Sequence, residues 1–323
     1  MQGPWSISLP TVKRFKIKAG RGDLHWGDRL FFWLMSTAAV GICGLLGLIL
    51  AFLVYSALPT ITQFGWAFLV EKSWDPVNGE FGALAFVFGT VVSSLLALLV
   101  ATPLSVGIAL FLNELAPRRV AKGIGFLIEM LAAIPSVVYG LWGIFVLAPW
   151  LRTTVQPFLG DWFGFLPLFQ GPPYGVGLMT SGIILAIMVI PTISSLSKEV
   201  FRAIPRANRE AALALGATRW ETMRLSVLKS SKTGIFGAVI LGLGRALGET
   251  MAVTMVIGNR NDISSSLFAP AQTMASIIAN EYAEATTSLH LSALAEVGLA
   301  LFAVTFLING LARLLIWRMK GRA

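Results

Sequence analysis

The sequence contains very few of the residues that soluble enzymes use for chemistry. It has one cysteine and two histidines among 323 residues, and 13% of its residues are charged, whereas soluble domains contain about 25%. With Cys43 as the single cysteine, no disulfide can form within the chain and no cysteine-rich metal site is possible. His25 and His290 are far apart and have no neighbours at ligand spacing. The sequence therefore predicts no metal site, and it contains no Ser/His/Asp set or carboxylate pair that indicates a catalytic residue.

A loop that binds nucleotide phosphates is also missing. Such a loop requires Gly-x-x-x-x-Gly-Lys followed by Ser or Thr. Lys232-Thr233 follows Ser231, and Lys72-Ser73 follows Glu71, so neither lysine is preceded by glycine. We therefore expect the chain to bind no cofactor and to be no enzyme, and any ATP that drives it must be hydrolysed by a partner subunit.

Apolar residues dominate the sequence, at 56% of the chain. Six apolar stretches are long enough to cross a hydrocarbon core of about 30 Å. They are roughly Leu30–Leu58, Gly82–Leu112, Ile124–Ala148, Gly175–Ser197, Gly234–Gly258 and Leu291–Trp317. The sequence predicts an all-α membrane protein with six spans.

The basic residues predict the orientation of these spans. Of the 25 Lys and Arg residues, 21 lie in the two terminal tails, at the C-terminal end of the sixth stretch, or in the second and fourth loops, and the alternate loops contain only Lys72, Arg152 and Arg260. Because positive residues accumulate on the cytoplasmic side, both termini are predicted to be cytoplasmic. The net charge of +9 then reflects topology and attraction to anionic membrane lipid rather than nucleic-acid binding.

The N-terminal region has two interpretations. A basic stretch before an apolar run is typical of a cleaved signal peptide, but 29 residues precede this run, which is itself 29 residues long. We interpret the run as a retained first span. The chain then divides into a cytoplasmic tail, residues 1–29, a six-span domain, residues 30–317, and a cytoplasmic tail, residues 318–323. A cytoplasmic loop, residues 198–232, lies within the six-span domain.

Arg245 is the only basic residue close to the middle of a membrane-length apolar stretch, Gly234–Gly258. A guanidinium at that depth costs at least about 2.5 kcal/mol, so Arg245 should face a partner, a cavity or a passing anion rather than lipid. Glu249 follows four residues later, a spacing that permits an ion pair on one helix. One interpretation is an internal ion pair that stabilises helix packing.

The other interpretation is a substrate pathway. Arg245 presents a fork of donors that matches a tetrahedral oxyanion. Glu249 would then hold Arg245 when no anion is present, and Thr250 belongs to the same predicted gate. Gly244 and Gly248 form a Gly-x-x-x-Gly pair, which predicts a close helix–helix interface beside the charged residues.

Two further acidic residues lie in predicted spans. Glu129 is about one turn inside the third span, and Glu296 is a similar distance inside the sixth. Both lie near a membrane surface, so either a pathway role or simple helix packing remains open. Pro135 should kink the third span and leave backbone carbonyls free to line a cavity.

The fourth loop predicts a helix, a glycine turn and a second helix. Pro205 precedes a run of helix formers, Gly216 is a typical helix end, and Thr218 with Glu221 forms a capping box. Glu210-Ala211-Ala212, with Gly216 four residues later, resembles the EAA loop of ATP-binding-cassette importer permeases. The resemblance implies that these four residues form the helix and turn that dock on an ATPase. Ser226 and Lys229 depart from the usual ending of that loop, an Ile-x-Leu-Pro.

Further motifs resemble the permeases of the phosphate-specific (Pst) importer family, and the resemblance runs from the first span to the last. They are Trp74-Asp75-Pro76 with Phe81-Gly82-Ala83, Ala101–Ala109 with Glu114–Pro117, Ala133–Gly143, and Gly244–Thr250. Of the two permease kinds in that family, the Trp-Asp-Pro element is more similar to the PstC kind than to the PstA kind. The resemblance implies a type I importer permease fold in the bacterial cytoplasmic membrane.

The same resemblance implies a function and a set of partners. The function is ATP-driven translocation of inorganic phosphate. The partners are a homologous PstA-like permease, a PstB-like ATPase dimer that uses the ATP, and an extracytoplasmic PstS-like phosphate-binding protein. A permease for another oxyanion, such as sulfate or molybdate, is an alternative. A self-contained anion- or proton-coupled carrier that uses Arg245, Glu249 and Glu129 is a second alternative, although such a carrier needs no ATPase-docking loop.

Overall fold

The computed structural model describes residues 26–320, which are mainly helical. The long helices are α1 (Trp26–Phe64), α3 (Leu84–Leu115), α5 (Ser136–Phe163), α6 (Leu178–Arg202), α8 (Arg219–Leu247) and α11 (Ser288–Lys320). The short helices are α2 (Ala67–Val70), α4 (Arg118–Ala133), α7 (Arg206–Ala214), α9 (Met251–Val256) and α10 (Met274–Glu281). A small antiparallel hairpin joins β1 (Trp74–Asp75) to β2 (Glu80–Phe81).

The bundle is formed by residues from Phe52 onward, which make up one structural unit; residues up to Ala51 make up another. In the bundle, α3 and α6 pack together along most of their lengths, and α8 packs against both and against α11. Small and branched apolar residues fill the space between α3, α6 and α8, for example Ala97, Val189 and Ala238. Because small residues allow close helix approach, this interface can be well packed without a hydrophobic driving force between spans.

A second apolar cluster holds the hairpin onto the start of α3 and onto α10 and α11. It includes Trp74, Phe81 and Phe86, which pack edge to face with centroid distances of 5.0 Å. We call the end of the bundle with this cluster the hairpin end. The opposite end, where α3 and α6 end and α7 lies, is called the α7 end.

The prediction of an all-α protein with six spans is confirmed. Six helices, namely α1, α3, α5, α6, α8 and α11, are long and apolar enough to cross a membrane. Four of these helices, namely α1, α3, α6 and α11, match predicted stretches, and most of their ends differ from the prediction by only a few residues. Of the predicted tails, only residues 26–29 and 318–320 are described, so the division at residues 29 and 318 and the cytoplasmic position of both termini stay predictions.

The third predicted span, Ile124–Ala148, is wrong as a single helix. The chain forms α4 and α5 instead, separated at Ile134 and Pro135. A residue before proline is pushed out of the α region, and Ile134 accordingly has an extended ψ of 128°. The Tyr139 hydroxyl donates to the carbonyl of Leu131 over 2.7 Å, near the point where the helix is interrupted.

The fifth predicted span, Gly234–Gly258, is wrong at both ends. Helix α8 already begins at Arg219, so the second helix predicted for the fourth loop is the first part of this span rather than a separate element. It ends at Leu247, and a new helix, α9, begins at Met251. The apolar pattern could not show this break, since Gly248, Glu249 and Thr250 lie within otherwise continuous apolar sequence.

Candidate functional site

Arg245 lies in the last turn of α8, next to the break in the span. Its side chain is exposed on the surface of the chain, and its Nη1 is 3.5 Å from the Thr192 Oγ1 on α6. A cation at the end of a helix is stabilised by the partial negative charge of the last carbonyl groups. The discontinuous span therefore gives Arg245 a favourable position that a continuous helix would not supply.

Glu249 and Thr250 lie in the break itself. The Glu249 Oε1 accepts a hydrogen bond of 3.4 Å from the backbone N–H of Ala252, in the first turn of α9. A carboxylate at that position is stabilised by the unpaired N–H groups at a helix start. Thr250 is the residue before α9, and its carbonyl accepts the Thr254 hydroxyl at 2.7 Å.

The ion pair that the sequence permits between Arg245 and Glu249 is not formed in this conformation. Among residues 26–320, no ion pair within 4.0 Å joins the two side chains. The i,i+4 relationship requires one continuous helix, and α8 ends at Leu247, before Glu249 is reached. The structure brings the two charged groups to the same break and leaves each on its own helix end.

Within the chain, Gly244 and Gly248 make no close helix–helix contact. A Cβ built on Gly244 would meet nothing closer than the Asn309 amide at 3.8 Å, and one on Gly248 only the Gly244 carbonyl at 3.7 Å. The close contact with α6 is made at Gly234 and Gly242 instead, where an added Cβ would lie 2.5 Å from Val200 and 2.7 Å from Val189. Positions 234, 238 and 242 share one helix face, and 244 and 248 do not belong to it. Contact of Gly244 or Gly248 with another subunit stays a prediction.

Helix α7 and the turn after it have the predicted form. Glu210, Ala211 and Ala212 lie in α7, and Gly216 has a positive φ of 84°, which glycine adopts without strain. The capping box is present, because Thr218 Oγ1 accepts from the Glu221 backbone N–H and the Glu221 carboxylate accepts from the Thr218 backbone N–H. The predicted helix, glycine turn and capped helix start are confirmed, but the second helix continues into the membrane span as part of α8.

The surface around this turn is apolar and exposed. Leu215 is 89% exposed, Trp220 is 60% exposed, and Leu213 is also exposed. Glu210 lies beside them on α7 and is exposed as well. Large apolar side chains grouped on a polar, projecting helix are typical of a surface that another protein covers.

One anchor of α7 was not predicted from the sequence. Arg209 reaches back to Glu114 at the end of α3, with Nη2 2.7 Å and Nε 3.1 Å from Oε1. Arg209 also donates to the carbonyl groups of Phe201 and Ile204, each over 3.0 Å. All of these acceptors lie at the ends of α3 and α6. Arg209 and Glu114 are 95 residues apart, and no sequence spacing indicates that they pair. Only the apposition of the two helix ends in the folded chain reveals the contact.

Ser226, which departs from the EAA-loop pattern, also contributes to this anchor. Its hydroxyl is mostly buried and donates to the carbonyl of Asn208 in α7 over 3.1 Å. A larger apolar residue would lack this donor. The departure at Ser226 therefore supports the position of α7, whereas Lys229 is exposed and has no such contact in the described structure.

The two other acidic candidates have different surroundings. Glu129 is exposed on α4 and lines a cavity at the α7 end together with basic residues. Glu296 is buried in α11, and its Oε2 has no hydrogen-bond partner among the described residues. Among the described residues, no ion pair within 4.0 Å joins Glu129 or Glu296 to Arg245, so the structure shows no direct relay between them.

A polar cluster at the hairpin end was also missed by the sequence analysis. The Glu281 Oε2 accepts from the Trp74 Nε1 at 2.8 Å and lies 2.9 Å from the His290 Nε2. The His290 ring stacks on Phe81 with a centroid distance of 5.6 Å. The Trp-Asp-Pro element signalled this region, but Trp74 and Glu281 are 207 residues apart, and sequence spacing does not pair them.

The turn of the hairpin is closed by Asp75. Its carboxylate accepts from the Asn78 side chain at 2.6 Å and from the backbone N–H groups of Val77 and Asn78. These hydrogen bonds, chiefly those of Asn78, hold the pKa of Asp75 below its usual value. The turn is therefore most stable while Asp75 is ionised.

Comparison with known proteins gives consistent matches. Residues 101–321 match the family described as binding-protein-dependent transport system inner membrane component. The chain is 48% identical over 316 residues to the phosphate transport system permease protein PstC of Mesorhizobium japonicum, covering 97% of this chain and 94% of the relative. It is 44% identical over 314 residues to PstC of Pasteurella multocida, covering 96% and 98% of the two chains.

Solved structures show the same fold at low sequence identity. A chain of a bacterial alginate ABC transporter, crystallised with an alginate-bound periplasmic protein, has a TM-score of 0.62 at 16% identity, with 92% of this chain and 98% of that chain covered. A chain of the inward-facing MetNI methionine ABC transporter has a TM-score of 0.55 at 15% identity, covering 73% and 94%. At these identities, the likeness concerns the fold alone.

Proposed function

Because the chain belongs to the PstC family of phosphate transport system permeases, within the binding-protein-dependent inner membrane components, we propose that it forms part of a phosphate pathway through the inner membrane. It is a multi-pass membrane subunit that transports and does not itself catalyse a reaction. The observation that best supports a coupled mechanism is the continuity of α8. One helix begins beside the Gly216 turn and ends at Arg245 and the break.

The exposed α7 surface is the part that we assign to ATPase coupling. Glu210, Ala211, Ala212 and Gly216 form a rigid projection whose apolar neighbours, Leu213 and Leu215, face away from the chain. Movement of a partner docked on this projection would reach α8 through the Gly216 turn and the Ser226 hydrogen bond. From Arg219 to Arg245, α8 extends about 39 Å at 1.5 Å per residue. A stiff element of that length can transmit a displacement from the docking surface to the break.

Arg245 is the residue that we assign to the anion pathway. Its side chain is exposed in the isolated chain, yet it lies in a segment that crosses the membrane, where exposure of a guanidinium to lipid is unfavourable. That face must therefore be covered by another subunit or line an aqueous pathway. A guanidinium with one weak side-chain contact, to Thr192, retains free donors for a phosphate oxyanion.

Glu249 and Thr250 complete the proposed gate. Glu249 lies two residues before the start of α9, and a small shift of the break would bring its carboxylate toward Arg245. In this conformation the two groups are apart, so Arg245 is available to an anion. When they pair, the anion is released. The pathway alternates between the two arrangements as the bundle changes conformation.

The proposed assembly contains four kinds of subunit. A homologous PstA-like permease covers the Arg245 face, a PstB-like ATPase dimer binds α7 and uses the ATP, and a PstS-like binding protein delivers phosphate from the other side. This chain holds no cofactor of its own. Discrimination among anions resides chiefly in the binding protein.

The test of this proposal is uptake by the reconstituted complex. Arg245→Gln should abolish ATP-dependent phosphate uptake while leaving insertion and assembly intact, and Arg313→Gln, an exposed arginine on α11, is the matched control. Normal uptake by Arg245→Gln would contradict the assignment. Competition by sulfate or molybdate as strong as that by unlabelled phosphate would indicate another oxyanion. Transport by the chain without any ATPase would indicate a self-contained carrier.

A further inference from the structure

A basic cavity of about 520 Å³ lies at the α7 end, between the end of α3, helix α4 and the end of α6. Five cationic side chains line it: Arg118, Lys122, Lys198, Arg202 and Arg206. A single carboxylate, that of Glu129, lines it as well. Arg245 does not line the cavity, and the proposed transport mechanism makes no use of it.

Most of this positive charge is not neutralised by the chain. Arg202 pairs with Glu199 over 3.0 Å. In residues 26–320, the other four cations have no carboxylate within 4.0 Å. Like charges that line a common cavity repel one another, so their proximity is unfavourable unless an anion occupies the space. The cavity therefore has the charge of a site for a polyvalent or strongly acidic group.

The walls of the cavity are well defined. The adjoining Arg209–Glu114 contact fixes the ends of α3 and α6 relative to each other. Helix α4 packs on α6, and a Cβ on Gly125 would lie 3.2 Å from the Lys198 Nζ. The absence of a side chain at Gly125 thus leaves room for the Lys198 ammonium between the two helices. Lys198 is half-buried at this position rather than fully exposed on the surface.

The rim of the cavity is apolar on one side. Phe126 lines the cavity and is 58% exposed. Leu127 and Met130 continue this exposed apolar surface along α4. A short helix with basic residues at one end and exposed apolar residues along its length is typical of an element at a membrane surface. A ligand for this site should combine an anionic head with an apolar body.

We propose that the cavity binds the phosphate headgroup of an anionic phospholipid, with the acyl chains on the Phe126 side of α4. Arginine and lysine side chains are the usual donors to phosphate oxygens, and basic pockets between membrane helices are suited to such headgroups. Free phosphate shares the headgroup chemistry but has no apolar body to contact Phe126. The bound lipid would join α4 to the ends of α3 and α6, close to the anchor of α7.

The experiment measures lipid binding to the full chain by native mass spectrometry. Phosphatidylglycerol is titrated into the detergent-solubilised protein, and phosphatidylcholine is the neutral reference. Lys122→Gln with Lys198→Gln should weaken phosphatidylglycerol binding about thirtyfold, since each basic residue contributes about 1 kcal/mol to attraction of anionic lipid. The same pair changed to Arg keeps both charges and should retain at least the greater part of the binding.

The matched control is Lys229→Gln with Lys232→Gln, which removes two exposed lysines outside the cavity. This pair should leave phosphatidylglycerol binding nearly unchanged. Equal loss in both double variants would overturn the proposal in favour of diffuse surface charge. Displacement of the lipid by inorganic phosphate, with the same dependence on Lys122 and Lys198, would instead identify a free-phosphate site.

The assembled complex supplies the last arm of the test. The site is supported if the unchanged complex retains one phosphatidylglycerol and the complex with Lys122→Gln and Lys198→Gln does not. A complex that retains none, although the isolated chain binds it, would overturn the proposal, because another subunit would then occupy the cavity. Both results are independent of phosphate uptake, so failure of this proposal would leave the transport assignment unaffected.

Discussion

The guanidinium of Arg209 binds the carboxylate of Glu114 at 2.7 Å, although the two residues are 95 positions apart in the chain. Only 19% of the Arg209 side chain and 14% of the Glu114 side chain are exposed. A planar guanidinium that meets a carboxylate with two of its nitrogen atoms fixes orientation as well as distance. This contact holds α7 against the ends of α3 and α6, and it gives the exposed apolar residues of α7 a stable position.

We expect removal of this contact to weaken docking on α7 more than it weakens the rest of the protein. Glu114→Ala leaves a partly buried guanidinium without its carboxylate, at a cost of about 2–3 kcal/mol. The amount of ATPase that co-purifies and the phosphate uptake should both fall. The control is Glu199→Ala, which breaks the exposed pair with Arg202 and should cost at most about 1 kcal/mol. Equal effects of the two substitutions would contradict the anchoring role of Arg209.

Gly216 should be sensitive to any side chain, although there is space around it. An added Cβ would meet nothing within 4 Å, but the φ of 84° costs about 1–2 kcal/mol for alanine. Gly216→Ala should therefore reduce uptake and ATPase binding, and Gly216→Asn should be milder because asparagine tolerates this conformation. Gly237→Ala is the matched control, since Gly237 also has open space but lies in a helix with a negative φ. Loss of function in Gly237→Ala alone would contradict this argument.

Gly242→Ala should destabilise the protein, whereas Gly244→Ala should not. A Cβ at Gly242 would lie 2.7 Å from Val189 and 2.8 Å from Ile193, so Gly242→Ala must push α8 away from α6. Overpacking of this kind costs about 1–3 kcal/mol. Gly244→Ala meets only ordinary contact distances and should leave the thermal stability of the purified chain unchanged. If Gly244→Ala lowers the thermal stability and Gly242→Ala does not, our assignment of the interface is wrong.

Glu281 should be required for the attachment of the hairpin. It accepts hydrogen bonds from the mostly buried side chains of Trp74 and His290, and Glu281→Leu would leave both without this partner. Each unsatisfied group costs about 1–3 kcal/mol. We expect faster proteolysis within residues 71–81, whereas Glu281→Gln keeps an acceptor and should be milder. Glu284→Leu, at an exposed position, is the control, and equal proteolysis in this variant would refute the role of Glu281.

The local part of the structure could be predicted from the sequence. Six spans follow from six apolar stretches, because a membrane-length run of apolar residues has few other stable conformations. The helix, turn and helix around Gly216 follow from short-range chemistry, namely a glycine with a positive φ and the Thr218–Glu221 capping box. Each of these features depends on residues within a few positions of one another.

Helix breaks inside apolar sequence could not be predicted from neighbouring residues alone. Pro135 signalled a kink, but the full separation of α4 from α5 and the end of α8 at Leu247 were not foreseen. Apolar residues continue through both breaks, so a hydropathy pattern shows no boundary there. The break at Gly248–Thr250 decides that Arg245 and Glu249 lie on two helix ends rather than on one helix face.

The sequence by itself determined that this chain crosses the membrane six times, and it identified Arg245 and the Glu210–Gly216 segment as its unusual features. The tertiary structure alone decided which residues meet them: Arg209 with Glu114, Gly242 with Val189, and Trp74 with Glu281 and His290. Local conformation depends on neighbouring residues, which a sequence states directly. Contacts between distant residues depend on how helices cross, and that follows from the packing of all of them together.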